Sequence, residues 1–287
     1  MTSLNVWFAG ARARTWPAAI VPVAVGTAAA ENDLDFVRAT LALLVALSLQ
    51  IGVNYANDYS DGIRGTDDQR IGPARLVASG AATASAVKWA ALGAFLCAAI
   101  AGTYLALITT GWLLLVGALC IGAAWCYTGG PNPYGYKGWG ELSVFIFFGF
   151  VATAGTTYLQ DERITALAVG ASVPVGLLTV ALLITNNLRD LPGDKAAGKL
   201  TLAVRIGDRS TRVLYIAVVA MAFLCLAYLS LLRPWVLITF LVSPVAYGPI
   251  KSILSGDEGQ SLIPVLGATG KLEMFYGAFL VVGLLLK

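Results

Sequence analysis

The chain has 287 residues, of which 58% are hydrophobic and 12% are charged, and its net charge is +3. Soluble domains carry about 25% charged residues, so this composition predicts an integral membrane protein. The net charge is small and the basic residues are spread along the chain, which excludes nucleic acid as an expected partner. Four cysteines lie in apolar segments without a CxxC pair, and histidine is absent, so neither a disulfide framework nor a zinc site is expected.

Nine segments resemble membrane spans. A helix needs about 20 mainly apolar residues to cross a hydrocarbon core about 30 Å thick, and nine segments approach this length. They predict an all-α, multi-pass membrane protein that forms a single domain over residues 1–287. The predicted spans cover residues 16–31, 37–57, 85–108, 111–128, 140–159, 164–187, 211–232, 234–254 and 269–286.

The distribution of Lys and Arg indicates the orientation, because these residues collect on the cytoplasmic side of membrane proteins. With a cytoplasmic N-terminus, all but four of the 19 Lys and Arg residues fall on the cytoplasmic side. The exceptions are Arg38, Arg163, Arg233 and Lys287. This orientation places the C-terminus outside the cell membrane and places two long charged loops, at about 58–84 and 188–210, in the cytoplasm.

Two matching clusters of amide and carboxylate side chains close two of the predicted spans. The clusters consist of Asn54, Asn57, Asp58 and Asp61, and of Asn186, Asn187, Asp190 and Asp194. Spacings of i, i+4, i+7 (Asn54, Asp58, Asp61) and i, i+3, i+7 (Asn187, Asp190, Asp194) place each set on one helix face. Two facing acidic helix ends suit Mg²⁺, which binds one or two carboxylates together with phosphate oxygens. The alternative is that these residues are helix caps and solvated loop ends.

Two further features surround these clusters. Pro192 and Gly193 predict that the second helix ends early and that Asp194 sits on a turn. Basic residues follow each cluster and suggest a clamp on a diphosphate, although the topology rule alone also explains their presence. The basic candidates are Arg64, Arg70, Arg75, Lys195 and Lys199, with Arg205 nearby, and Asp67 is a further acidic candidate in the first loop.

The clusters also carry a family resemblance. The strings Asn57-Asp58-Tyr-Ser-Asp61 and Asn187-Leu-Arg-Asp190-Leu-Pro-Gly-Asp194 resemble the two Asp-rich motifs of the UbiA superfamily of intramembrane prenyltransferases. Stretches at 11–17, 54–67 and 127–134 with 138–141 are most similar to the branch that acts on 1,4-dihydroxy-2-naphthoate. Superfamily members that act on hydroxybenzoate carry Tyr-x-x-x-Lys before the fifth span, whereas here Lys137 follows Tyr134 by three positions.

The resemblance implies nine helices around a central cavity, under a cytoplasmic cap formed by the charged loops. It implies that Mg²⁺ is the cofactor and that the partners are polyprenyl diphosphate, 1,4-dihydroxy-2-naphthoate and membrane lipids. Transfer of the polyprenyl group would release diphosphate and CO₂ and give demethylmenaquinol. The implied metal ligands are Asn57, Asp58, Asp61, Asp190 and Asp194, and the four aspartates among them are the implied catalytic residues.

Several expectations concern the acceptor and the cavity wall. Glu141 is expected to orient the aromatic acceptor, and Arg12 and Arg14 either pair with its carboxylate or reflect topology alone. The fifth span offers an aromatic lining that would keep water from an allylic cation, through Phe145, Phe147, Phe148, Phe150 and Tyr158. Two alternatives remain at this point: a different aromatic acceptor, such as hydroxybenzoate or homogentisate, and an ion-coupled transporter, for which ionisable groups near the bilayer midplane are typical.

Overall fold

A computed structural model describes residues 4–67, 72 and 75–286. All regular elements in this part of the chain are helices. The α-helices are α1 (Leu4–Gly10), α2 (Pro17–Ala28), α3 (Phe36–Arg64), α4 (Ala84–Ile108), α5 (Leu113–Cys126), α6 (Gly140–Val144), α7 (Gly155–Asp161), α8 (Ala166–Ala196), α9 (Leu202–Ser230), α10 (Ser243–Leu254) and α11 (Leu262–Leu285). A π-helical segment, Phe145–Ala154, joins α6 to α7, and a 3₁₀ segment, Pro234–Val242, precedes α10.

Seven helices of the described residues are long and apolar enough to cross a membrane. They are Phe36–Arg64, Ala84–Ile108, Gly140–Asp161, Ala166–Ala196, Leu202–Ser230, Pro234–Leu254 and Gly259–Leu285. The other two predicted spans correspond to α2 and α5, which have 12 and 14 residues. At 1.5 Å per residue these helices are about 18 and 21 Å long, which is less than the thickness of a hydrocarbon core. The multi-pass helical class is therefore observed, whereas the count of nine spans is not established.

Local sequence signals explain where the long helices begin and end. The side chain of Asp35 accepts hydrogen bonds from the backbone N–H groups of Val37 and Arg38 and so caps the start of α3. Thr165 caps α8 in the same way, through the N–H of Ala168. Helix α3 ends at Gly65, whose φ of 70° is the left-handed conformation that glycine adopts at low cost.

One boundary expectation is wrong. Helix α8 does not end before Asp194 but continues through Pro192 to Ala196, so Asp194 lies within the helix. A proline near a helix end removes a single backbone hydrogen bond, and the end of α8 is closed by two others, from Ala197 N–H to Gly193 O and from Lys199 N–H to Asp194 O. The charged loop expected at 188–210 is consequently reduced to the short connection at 197–201 and to a break within α9 at Gly207, whose φ is 80°.

Helix α8 forms the centre of the bundle. It packs against α9, α11, α2 and the π-helical segment, and its apolar window is 72% buried. Helix α2 approaches the π-helical segment closely at Gly26, where a Cβ atom would lie 2.3 Å from the carbonyl oxygen of Thr153. Helix α5 differs from these elements, because it packs on α3 and α4 and none of its residues is buried. The bundle therefore has a tightly packed side around α8 and a sparsely packed side at α5.

Candidate active site

A cavity of about 920 Å³ runs through the bundle. At one end it is lined by the C-terminal parts of α3 and α8, which carry both acidic clusters. Away from them it is bordered by apolar residues of α3, α4, α5 and the π-helical segment. It reaches Trp112, which directly precedes α5, and Tyr158 of α7. The rings of these two residues meet edge to face. The chamber thus has a charged end and a long apolar body.

The first acidic cluster faces this chamber, as its spacing predicts. Asn54, Asn57, Asp58 and Asp61 all line the cavity, and the two aspartates are each 1% exposed. The two carboxylate oxygens of Asp58 accept hydrogen bonds from the N–H groups of Leu76 (2.8 Å) and Val77 (3.0 Å). Asp58 therefore ties the connection between α3 and α4 to the chamber wall. The spacing of the motif did not indicate this second contact.

The second acidic cluster lies across the cavity from the first. Asn186, Asn187, Asp190 and Asp194 line the same chamber. Arg189 is 1% exposed and binds the carboxylate of Asp190 with two hydrogen bonds of 2.7 Å. A buried guanidinium requires such a partner, because removing a charge from water is costly. Both clusters are therefore charged groups held at one end of a low-dielectric cavity.

Lys199 joins the two clusters. Its ammonium nitrogen lies 3.4 Å from Asp61 Oδ2 and 3.7 Å from Asp194 Oδ1. It also lies over the ring of Tyr136, 4.8 Å from the centroid. The Lys199 side chain is 15% exposed and lines the cavity. One cation from the connection between α8 and α9 thus reduces the repulsion between carboxylates of two different helices.

The other cations predicted to bind diphosphate have different locations. Arg75 is 9% exposed, lines the cavity and pairs with Asp67, with 3.3 Å between Arg75 Nε and Asp67 Oδ2. Arg64 does not line the cavity but donates to the carbonyl oxygens of Thr128 and Gly130. Lys195 is exposed on the outside of α8. Arg70 lies outside the described residues.

The candidate site residues near the start of α6 differ in their relation to the cavity. The amide nitrogen of Asn187 donates to Glu141 Oε1 at 2.9 Å, so Glu141 lies behind a residue that lines the cavity and does not line it itself. Tyr134 lines the cavity, and its hydroxyl donates to the carbonyl oxygen of Ala123. Lys137 is exposed and reaches Asn132 at 3.4 Å, away from the chamber. Among these candidates, Glu141 and Tyr134 have a geometric link to the cavity.

Some site residues were not anticipated from the sequence. The hydroxyl of Tyr136 donates to Asp61 Oδ1, and burial together with the Asp61 carboxylate raises the pKa of Tyr136 above its ordinary value. The hydroxyl of Thr128 donates to Asn57 Oδ1 at 2.8 Å. Thr128 lies within the stretch at 127–134, whose similarity to a known branch was the available signal, whereas Tyr136 lies between that stretch and the one at 138–141.

A buried acid deeper in the bundle was also missed. Glu273 is fully buried in α11, and its Oε1 lies 2.7 Å from the hydroxyl of Thr179, which lines the cavity. Its position inside a predicted span was the signal, since an ionisable residue within a membrane helix is costly unless it is paired or useful.

The aromatic wall agrees with expectation in part. Phe147, Phe148, Phe150 and Tyr158 line the cavity. Phe145 instead packs beside Gly176 of α8, where its ring lies 2.8 Å from the position that a Cβ would take. The wall residues lie on the π-helical segment and α7, and π-helical turns are frequent at functional sites.

The donor chemistry of the charged end fits a hard divalent cation. In the described part of the chain, no three His, Cys, Asp or Glu side chains converge on one point to form a closed metal cage. Asp61 and Asp194 nevertheless share one ammonium group, so their carboxylates lie within reach of a common cation. Mg²⁺ retains several waters and is typically bound by one or two carboxylates with phosphate oxygens. An open oxygen-rich site is therefore compatible with Mg²⁺ that arrives with a diphosphate.

Comparison with known proteins gives a consistent result. The model of the UbiA prenyltransferase family matches residues 19–262. The chain is 49% identical to 1,4-dihydroxy-2-naphthoate octaprenyltransferase of Mycobacterium tuberculosis, covering 99% of this chain and 98% of the relative. It is 33% identical to the protein of the same name from Escherichia coli, covering 99% and 96%.

The fold has solved counterparts. A UbiA homolog from Archaeoglobus fulgidus, bound to DMAPP and Mg²⁺, superimposes with a TM-score of 0.64 at 16% identity, covering 98% of this chain and 99% of the other. At that identity the likeness concerns the fold. Together with the family match over most of the sequence, these findings show that the chain belongs to the UbiA prenyltransferase family.

Proposed function

We propose that this protein transfers a polyprenyl group from polyprenyl diphosphate to 1,4-dihydroxy-2-naphthoate, with loss of CO₂ and diphosphate, to give demethylmenaquinol. The observation that carries the proposal is the 49% identity, over 99% of the chain, to a relative named for this reaction. The cavity supports it, because it joins a cluster of carboxylates and cations to an apolar body. A lipid diphosphate has the same two parts.

The charged end is proposed to bind the diphosphate. Asn57, Asp58, Asp61, Asp190 and Asp194 would hold Mg²⁺, which would supply positive charge to the departing diphosphate. Among the side chains, Lys199 and Arg75 are the cations that line the chamber on the α9 and α3–α4 sides. Both would donate hydrogen bonds to phosphate oxygens, and such charge-assisted bonds are about twice as strong as neutral ones.

In the transfer, prenyl C1 exchanges its bond to the diphosphate oxygen for a bond to a ring carbon of the acceptor. The bond between prenyl C1 and the diphosphate oxygen breaks, and the oxygen keeps the electron pair. The acceptor carbon that bears the carboxylate donates a pair to C1, and the bond to the carboxylate then breaks, so that its pair restores the aromatic ring and CO₂ leaves. Lys199 and Arg75 act on the first of these events, since they stabilise negative charge that develops on the leaving group.

The apolar body is proposed to exclude water from the reacting carbon. Phe147, Phe148 and Phe150 present rings to the cavity, and ring faces attract cations. Water in the chamber would compete with the acceptor for the allylic cation. The same wall thus stabilises positive charge on the prenyl group and limits hydrolysis.

The membrane arrangement is a proposal as well. We place the N-terminus and the charged end of the cavity on the cytoplasmic side of the cell membrane and the C-terminus outside, on the basis of the Lys and Arg distribution. In this arrangement α2 and α5 complete a set of nine transmembrane elements, and lipids contact the outer surface. Tags at the two ends should report from opposite compartments.

A product assay tests the reaction. Protein in lipid nanodiscs is incubated with Mg²⁺, octaprenyl diphosphate and 1,4-dihydroxy-2-naphthoate that carries ¹³C in the carboxylate. We expect ¹³CO₂ in equimolar amount with a prenylated naphthoquinol that has lost the label, as measured by mass spectrometry. Parallel reactions use hydroxybenzoate and homogentisate.

Matched variants connect the assay to the site. Asp194→Asn should lose Mg²⁺-dependent transfer, whereas Asp33→Asn, a change at an exposed acidic residue, should not. Prenylation of hydroxybenzoate or homogentisate in preference to the naphthoate, or a product that keeps the labelled carboxylate, contradicts the proposed acceptor chemistry. Solute flux into vesicles without any prenylation would instead favour the transporter class.

A further inference from the structure

A buried glutamate lies behind one wall of the charged end. Glu141 is in the first turn of the helix that covers Gly140–Asp161, is 7% exposed and does not line the cavity. The neighbouring position has no room for a side chain, because a Cβ atom at Gly140 would lie 2.8 Å from the hydroxyl oxygen of Tyr127 and 3.3 Å from the side chain of Leu183. The start of this helix is therefore packed tightly against α8 and against a residue of the chamber wall.

The carboxyl group of Glu141 has one side-chain partner among the described residues. Asn187 Nδ2 donates to Glu141 Oε1 at 2.9 Å, whereas Glu141 Oε2 is buried and has no hydrogen-bond partner in the described part of the chain. An ionisable residue at such a position is costly, and in a membrane helix it is usually functional. Because Glu141 does not reach the cavity, it can act on the chamber only through Asn187.

The contact fixes the orientation of the Asn187 amide. A carboxylate can only accept hydrogen bonds, and the first turn of a helix favours the ionised form of a carboxyl group because the helix dipole is positive there. The amide nitrogen of Asn187 therefore faces Glu141, and its oxygen points away from Glu141. Asn187 lines the cavity, and its Oδ1 accepts no hydrogen bond from any residue that the structure describes. The chamber thus contains an amide oxygen of fixed orientation.

This oxygen belongs to the second acidic cluster. Asn187 precedes Asp190 by three residues, so the two side chains are neighbours on one helix face, and both line the cavity. Side chains with this spacing can bind metal ions together, as the Glu-x-x-His motifs of helical bundles do. Both carboxylate oxygens of Asp190 already accept hydrogen bonds from Arg189. A neutral oxygen beside them adds a ligand for a hard cation without adding negative charge to the cluster.

We propose that Glu141 is a positioning residue for the cation at the charged end, because it holds the Asn187 amide so that Oδ1 serves as an oxygen ligand. This inference rests on the proposed function and adds Asn187 to the ligands named there. Glu141 itself touches neither the cation nor the substrates, and in this role it acts on the cation rather than on the aromatic acceptor. Residues that orient a metal ligand typically change metal affinity or activity by about 10- to 100-fold when they are removed.

Binding of Mn²⁺ in the presence of inorganic diphosphate tests the proposal, since it requires neither the prenyl donor nor the aromatic acceptor. Mn²⁺ prefers the same oxygen ligands as Mg²⁺. Protein in phosphatidylcholine nanodiscs is dialysed to equilibrium against Mn²⁺ with the same diphosphate concentration on both sides. The excess Mn²⁺ on the protein side, measured by atomic absorption and corrected with empty nanodiscs, gives the dissociation constant.

Four variants separate orientation from charge and from packing. Glu141→Leu removes the acceptor and should weaken Mn²⁺ binding by roughly 10- to 100-fold. Glu141→Gln removes the charge but keeps an oxygen that accepts from Asn187, so the affinity should fall by at most about fivefold. Asn187→Leu should weaken binding about as much as Glu141→Leu, and combining the two changes should weaken it by less than about twofold more. Glu258→Leu, at an exposed position away from the cavity, is the matched control.

The alternatives predict different patterns. Equal losses in Glu141→Gln and Glu141→Leu overturn the proposal, because the charge and not the orientation would then matter. A double variant whose loss is the product of the two single losses also overturns it, since the residues would act independently. If Glu141→Leu does not fold, unchanged Mn²⁺ affinity in Asn187→Leu is sufficient to overturn it.

The same measurements distinguish this proposal from the proposed function. The expected pattern in a protein that does not prenylate the naphthoate would retain the role of Glu141 and reject the acceptor chemistry. Prenylation of the naphthoate without the pattern would reject the role of Glu141 alone.

Discussion

Lys199 connects the two acidic clusters, so its removal should destabilise the protein before any substrate binds. In Lys199→Met the side chain keeps a similar length but loses its charge, and the carboxylates of Asp61 and Asp194 face each other without it. The Lys199 nitrogen lies 3.4 and 3.7 Å from these two carboxylates. At an effective dielectric constant of about 20, each contact contributes roughly 5 kcal/mol of Coulomb attraction.

The net effect is smaller, because the cost of removing these charges from water offsets much of the attraction. Removing one partner of a buried pair typically costs about 3–5 kcal/mol. Lys199 retains 15% exposure, so we expect a value of about 3 kcal/mol, at the low end of that range. This corresponds to a decrease of roughly 6 to 12 °C in the unfolding midpoint.

A thermal-unfolding assay in detergent measures this effect. Lys195→Met is the matched control, since it removes the same charge four residues earlier, at an exposed position, and should shift the midpoint by about 1 °C or less. Adding Mg²⁺ with inorganic diphosphate should restore part of the loss in Lys199→Met, because it returns positive charge to the carboxylates. Equal midpoints for the two variants without Mg²⁺ would refute the role assigned to Lys199.

Three further expectations concern packing and the charged end. Asp58→Ala should abolish Mg²⁺-dependent transfer and also speed proteolysis near Leu76, because the carboxylate holds two N–H groups there; normal turnover would remove it from the site. Arg75→Gln should raise the KM for the prenyl donor roughly tenfold, whereas Arg64→Gln should lower thermal stability with little change in KM, and the reverse pattern would contradict the geometry. Gly26→Ala should lower the unfolding midpoint far more than Gly93→Ala, since a Cβ at Gly26 meets a carbonyl oxygen at 2.3 Å and one at Gly93 meets nothing within 4 Å; equal midpoints would count against the close approach of α2.

Helical periodicity predicted the main arrangement of the candidate site. Residues three, four and seven apart share a helix face, so the spacing of Asn54, Asp58 and Asp61 predicted a shared face, and all three line the cavity. The same reasoning applies to Asn187, Asp190 and Asp194. Hydrophobic length located the long spans, and the class of the fold followed from composition.

Contacts between distant segments could not be predicted in this way. Arg64 follows the first cluster in sequence and so resembled a diphosphate ligand, but it reaches carbonyl oxygens of Thr128 and Gly130, more than sixty residues away. Tyr136 reaches Asp61 across a similar separation. No local spacing encodes such pairs, because they depend on how α5 and the connection after it return to the end of α3.

The end of α8 was predicted wrongly for a different reason. The low helix propensity of Pro192 and Gly193 predicted that the helix ends there, yet it continues to Ala196. Propensity is a weak prior that packing overrides, and α8 is held on several sides by other helices. Asp194 is therefore held by a continuous helix rather than by a turn.

Because α5 is sparsely packed, the part of the chamber wall that it forms is easier to displace than the part that α8 forms. Displacing α5 outward sacrifices few apolar contacts, since none of its residues is buried, and regions with few such contacts open at low free energy. Displacing α8 would disrupt the centre of the bundle. The aspartates of α8 therefore have a rigid support, and the free-energy cost of widening the cavity is lower at α5 than at α8.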